Sequence, residues 1–200
     1  MLKIFFVRSI DLIDCILFEP FRAESLLSTW EPRSLKILAS LITLISSISM
    51  GAAFVLISPP YTNRSFGFLI SGAIGHFLFF SLLPYLLAFV IDGFAQQRDR
   101  KGHSKITFVF VKLSIVVFLT AAAWSVLLSQ LGLSGGFGIF TLYTVHYGFF
   151  TAVLIRGTMY LYDLKWKDAV FFNLGTFIVT FFFPLTMYFS LVSSFSAVFQ

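Results

Sequence analysis

Residues 106–131, ITFVFVKLSIVVFLTAAAWSVLLSQL, carry one formal charge, Lys112, in a run long enough to cross a bilayer. Its apolar positions are continuous and do not alternate with period two, which argues against a membrane strand. A helix in hydrocarbon satisfies its own backbone hydrogen bonds. At ~20 residues per crossing, four further stretches qualify: 35–58, 66–94, 137–159 and 169–191. The expected fold is an all-α integral membrane protein with five transmembrane helices.

Composition leads to the same solvent. Hydrophobic residues make up 58% of the chain, charged residues only 12%, and 28 of the 200 residues are Phe, with a mean hydropathy of +0.92. A soluble domain of this size leaves roughly a third of its chain surface in water, which so apolar a sequence cannot cover with polar groups. Lipid is the expected surround.

Basic residues set the expected threading, because they are held on the cytoplasmic side of a membrane. Lys3, Arg8, Arg22, Arg33 and Lys36 surround the entry to the first span. Arg98, Arg100, Lys101 and Lys105 lie between the second and third, and Arg156, Lys165 and Lys167 between the fourth and fifth. The other side has only Arg64, in the Pro59–Arg64 loop, and the Gly-rich turn at 132–138 has no basic residue. The expectation is a multi-pass protein of a bacterial cytoplasmic membrane, N-terminus cytoplasmic and C-terminus outside. It divides into a cytoplasmic segment 1–34, a membrane domain 35–191 and a tail 192–200. Trp30, Tyr160, Tyr162 and Trp166 fall where a cytoplasmic aromatic belt is expected.

Asp11, Asp14 and Glu19 interrupt the first apolar run, so the N-terminus does not read as a cleavable signal. On a helical wheel Lys3, Arg8, Asp11 and Asp14 gather on one side, with Phe5, Phe6, Ile10, Leu12, Ile13, Ile16 and Leu17 on the rest. This describes an N-terminal amphipathic helix, lying on the membrane or packed on the bundle, that Pro20 ends. The single cysteine, Cys15, reads as apolar filler.

Polar groups inside spans are expensive and mark candidate sites. His76 and His146 each sit ~10 residues from the outer end of their span, ~15 Å deep by helical rise, where they could meet as a pair or each bond a neighbour. Two imidazoles are too few for a metal site. Lys112 is expected to snorkel toward the headgroups or to pair with Asp92 at the end of the second span, with Asn173 in the same layer. Gly67, Ser71 and Gly75 recur every four residues, with Gly72 beside them, as a helix-packing stripe for another span or another protomer. Pro84 and Pro184 are expected to kink their helices.

The short enzyme motifs for zinc hydrolysis, serine hydrolysis and nucleotide binding are missing, so the sequence offers no catalytic residue, no cofactor and no metal. Nucleic acid is not an expected partner, because the loops are short. The arrangement resembles the Yip proteins over about residues 15–191. The likeness is carried by Glu19-Pro20-Phe21-Arg22 before the first span, a tight outer hairpin, the polar loop 96–105 and two closing spans joined by 156–168. The Asp-Leu-Tyr-Gly-Pro signature of eukaryotic members and their long soluble N-terminal region are missing, so their GTPase binding does not carry over. The resemblance implies a non-enzymatic scaffold, adaptor or membrane organiser, with the lipid bilayer, other membrane proteins or a second copy as partners. The alternative from the residues themselves is a small transporter, channel or accessory transport subunit lined by the histidines.

Overall fold

The computed structural model describes residues 2–57, 66–175 and 178, and the regular elements among them are helical. Helix α1 (Leu2–Phe18) is followed by a 3-10 turn (Pro20–Arg22) and a short α2 (Ala23–Ser28). Then come α3 (Pro32–Leu56), α4 (Phe66–Gln96), α5 (Ser104–Gln130), α6 (Gly135–Leu161) and α7, 166–175. Four helices, α3 to α6, are long and apolar enough to span a membrane. The start of the expected fifth span is helical over 169–175; the rest of it, with Pro184, the Pro59–Arg64 loop and the tail 192–200, lies outside the described residues apart from 178.

Local chemistry explains the boundaries. Pro32 stands at the first turn of α3, where its fixed φ suits a helix start and its missing N–H goes unneeded; the helix therefore begins three residues before the expected Leu35. Helices α4, α5 and α6 each end on a left-handed residue: Asp99 (φ 57), Gly132 (φ 78) and Asp163 (φ 48). In each case the next amide closes back five residues, Arg100 to Ala95, Leu133 to Leu128 and Leu164 to Met159, at 2.9–3.1 Å. This is the Schellman arrangement, with Asp taking the glycine's place twice because a short polar side chain tolerates that conformation.

Helix α3 packs along both α4 and α5. Against α4 the approach is backbone to backbone: a methyl group on Gly51 would lie 2.7 Å from both the Ala73 nitrogen and the Leu69 carbonyl oxygen, and one on Gly72 would lie 3.2 Å from the Gly51 Cα. The tight contact thus falls on Gly51 and Gly72. In the expected stripe, Gly67 is exposed and Ser71 and Gly75 are half-buried.

Against α5 the contact is polar. The middle of α5, Ile115–Thr120, winds as a 3-10 helix, a longer run than this geometry usually sustains. Two α3 hydroxyls brace it. Ser46 donates to the Ile115 carbonyl (3.0 Å), while Ser49 donates to the Leu119 carbonyl (2.9 Å) and accepts the Ala122 amide (3.0 Å). Ile115, Val116, Val117 and Phe118 are all buried, so this segment lies in the bundle interior.

Helix α1 has three faces. Ser9, Leu12 and Ile16 are buried, Cys15 is buried beside them, and Leu12, Cys15 and Ile16 belong to the apolar core. Phe6 and Ile10 are exposed on a second side, and Arg8, Asp11 and Asp14 on a third, with Ile4 and Val7 exposed among them. The helix is packed on the bundle. Arg156 of α6 fastens it by donating to the Leu17 and Phe18 carbonyls at 3.3 and 2.6 Å.

Candidate functional site

Two buried polar layers cross the bundle. The first is built on His76 of α4 and His146 of α6, both buried. His76 Nδ1 lies 2.8 Å from the Gly72 carbonyl and Nε2 3.1 Å from the Tyr143 hydroxyl. A carbonyl only accepts, so Nδ1 carries the hydrogen, and in the neutral ring Nε2 accepts from Tyr143. His146 repeats the pattern on its own helix, Nδ1 to the Leu142 carbonyl at 2.9 Å, with Thr120 Oγ1 3.4 Å from Nε2.

The histidines do not meet. Ring contact between them runs through two phenylalanines: His76 to Phe80 at 5.7 Å, Phe80 to Phe118 at 4.7 Å and Phe118 to His146 at 6.1 Å between centroids. A paired-imidazole site is not formed, and among the described residues no cluster of three or more His, Cys, Asp or Glu is placed to hold a metal ion. Beside this layer the Tyr147 hydroxyl and the Thr151 hydroxyl are buried without a hydrogen-bond partner among the described residues.

The second layer is centred on Asp92, about 24 Å further along α4 by helical rise. Its carboxyl group is buried. Oδ1 accepts from the His103 amide (2.6 Å) and the Tyr162 hydroxyl (2.7 Å), and Oδ2 accepts from Gln96 Nε2 (2.7 Å). Tyr162 and Thr107 hydroxyls are 2.6 Å apart, and the His103 ring stands edge-on to Tyr162 at 5.6 Å. Burial foremost pushes the Tyr162 phenol well above its ordinary range; the Thr107 hydrogen bond pulls it back, and the neighbouring Asp92 adds to the rise. It stays a donor. One carboxyl group thereby ties the end of α4, the start of α5 and the end of α6.

Neither expected partner joins Asp92. Lys112 is half-buried and lies over the Phe108 ring, Nζ 5.8 Å from its centroid. Asn173 donates instead to Thr158 Oγ1 (3.2 Å) and to the Ala169 carbonyl (2.8 Å) of its own helix. The hub's actual members, Gln96, His103, Thr107 and Tyr162, were not expected from the sequence. A buried carboxyl group demands donors, but which ones is a matter of tertiary packing. The expected aromatic belt divides: Tyr160 and Trp166 are exposed, whereas Tyr162 serves the hub and Trp30 is buried beneath Arg8, 5.1 Å from its ring centre.

Ion pairs close the same end. Arg98 meets Asp168 at 3.2 Å and Arg100 meets Asp163 at 3.4 Å, joining the α4–α5 loop to the first turn of α7 and to the α6–α7 loop. Both loops belong to the basic set that the charge pattern assigns to one side. No protein-family model matches this chain, and neither does a curated protein or a solved structure. The resemblance to the Yip proteins gains no support from these comparisons.

Proposed function

We propose that this chain is a non-enzymatic multi-pass membrane protein that acts as a scaffold, adaptor or organiser in the bilayer. One observation carries this reading: both intramembrane histidines are engaged by neighbours inside the bundle, one helix-local carbonyl and one hydroxyl each. Polar side chains used in this way hold helices in register and leave no open coordination position. The grooves beside Lys105 are lined by residues of α2 to α5 and include neither histidine.

The full threading belongs to the same proposal. Five crossings put residues 1–34 in the cytoplasm and the tail outside, as in Yip-like proteins, with a bacterial cytoplasmic membrane the simplest home. The joined basic loops and the Arg156 clasp on α1 support one shared aqueous side. The three-faced α1 fits a helix wedged between bundle, lipid and water. Other membrane proteins or a second copy are the partners such a bundle would hold.

A second reading, a small transporter or accessory subunit, is favoured by the 3-10 stretch at the centre of α5 and the unpartnered Tyr147 and Thr151 hydroxyls nearby. Reconstituted wild type and His76→Ala/His146→Ala proteins decide between them. Absence of ion or solute flux, with specific in-membrane crosslinks to a partner or a second copy, is the organiser's outcome. Flux that disappears in the double variant would replace it with transport.

A further inference from the structure

Among the described residues the ion pairs use arginines alone, so every lysine is without one; Lys36, Lys105 and Lys112 differ from the rest in lying along helices that are apolar enough to span the membrane. Lys105, Phe108 and Lys112 follow one another at helical spacing on a single face of α5. That face borders a groove of about 540 Å³ between α4 and α5, lined by Tyr85, Ala88, Phe89, Lys105, Phe108 and Val109, with Ser104 at its mouth.

The groove is apolar along its length and cationic at one end. Phe89 is 79% exposed and Tyr85 64%, and the Tyr85 and Phe108 rings meet at 4.6 Å across the floor. Lys112 stands over the same Phe108 ring. A cation held inside a spanning segment without a counter-charge is costly, and the anion that a membrane supplies at this depth is a lipid phosphate. Glu24 lines the adjoining groove beside Lys105, yet it forms no ion pair with it.

From this juxtaposition we infer that the α4–α5 groove retains one anionic phospholipid, its phosphate between Lys105 and Lys112 and an acyl chain along Tyr85, Phe89 and Phe108. The inference needs the bundle to be in a bilayer. It is independent of the organiser reading, since a transport subunit would hold the same lipid.

Native mass spectrometry of the purified full chain, delipidated in mild detergent and then offered phosphatidylglycerol or phosphatidylcholine with matched chains, tests it. One phosphatidylglycerol should be retained about thirtyfold better than phosphatidylcholine, from about fivefold per lysine at an anionic headgroup. Lys105→Gln/Lys112→Gln should remove that preference. Lys165→Gln/Lys167→Gln, basic residues where the α6–α7 loop enters α7, should leave it intact, and Glu24→Gln should not reduce it. Equal retention of the two lipids, equal loss in the control pair, or displacement of the lipid by inorganic phosphate would each overturn the assignment.

Discussion

Replacing Asp92 with alanine removes the acceptor for three donors at 2.6–2.7 Å and strands the half-buried His103 amide. A hydrogen bond to a charged group contributes about 1.5–3 kcal/mol, and a buried donor left unmade costs about 1–3 kcal/mol. Three such bonds sum to about 4.5–9 kcal/mol. Desolvating the carboxylate in the folded state offsets several kcal/mol of that, so the net expectation for Asp92→Ala is about 4 kcal/mol. Asp92→Asn should be far milder, about 1 kcal/mol. Its amide oxygen can still accept from His103 and Tyr162, and Gln96 can turn its own amide to present oxygen to the new nitrogen. Tyr162→Phe, which removes one donor and the Thr107 contact, should also cost about 1 kcal/mol. Unfolding of the purified protein in mixed micelles, titrated with SDS and followed by circular dichroism, gives the three values on one scale. An alanine variant within about 1 kcal/mol of wild type, or an asparagine variant as damaged as the alanine one, would refute the view that this group works as a three-way acceptor.

The remaining predictions concern packing, bracing and the thiol. Ser49→Ala removes both bonds to the 3-10 stretch and should destabilise the fold by about 1–2 kcal/mol, the upper part of the range for interhelical bonds in membranes; faster hydrogen exchange at the Ala122 amide checks the location, and unchanged exchange would contradict it. Gly51→Ala must push α3 from α4 and should cost about 1–3 kcal/mol, whereas Gly93→Ala, on an exposed part of α4 with nothing within 4 Å, should gain up to about 1 kcal/mol; equal effects in the unfolding titration would dismiss the close approach. Burial, foremost, raises the pKa of Cys15 above its ordinary 9.0. The unfolded chain therefore loses the thiol proton first, so stability is flat below about pH 8 and falls as pH rises through the alkaline range. Maleimide labelling at neutral pH should be slow in the native protein and fast after unfolding, and fast native labelling would place Cys15 on the surface.

Four spans were legible because crossing a bilayer requires only length and apolarity, which a sequence states outright. The boundaries shifted by two or three residues where Pro32 and the left-handed Asp99 and Asp163 set the ends through local geometry. The interior was less legible. The histidines stood out as costly intramembrane groups, but Ser46 and Ser49 looked like small polar residues on a hydrophobic helix. Nothing in residues 115–120 announces a 3-10 stretch whose carbonyls need them. The glycine stripe illustrates the same limit: spacing selected Gly67, Ser71 and Gly75, whereas the close approach was decided by which face α3 presents, through Gly51.

The two polar layers bear on mechanism through what lies between them. From His76 to Asp92, α4 offers mainly apolar side chains, and Phe80 packs on Phe118, which in turn meets Tyr147 at 4.8 Å and Phe150 at 5.6 Å. Hydroxyls do occur at intermediate depth on α5 and α6. Yet Ser114 donates to the Phe110 carbonyl (2.8 Å) and Thr158 to the Leu154 carbonyl (2.7 Å), each on its own helix. A relay needs donors and acceptors linked from helix to helix, and these are turned inward on their own backbones. Thr151 is the exception, and its hydroxyl has no partner among the described residues. An ion moving between the layers would have to part the aromatic cluster, sacrificing the packing that holds α4, α5 and α6 together. Among the described residues each layer thus forms a separate fastening, one deep in the bundle and one at its basic end, an arrangement that fits the proposed scaffold.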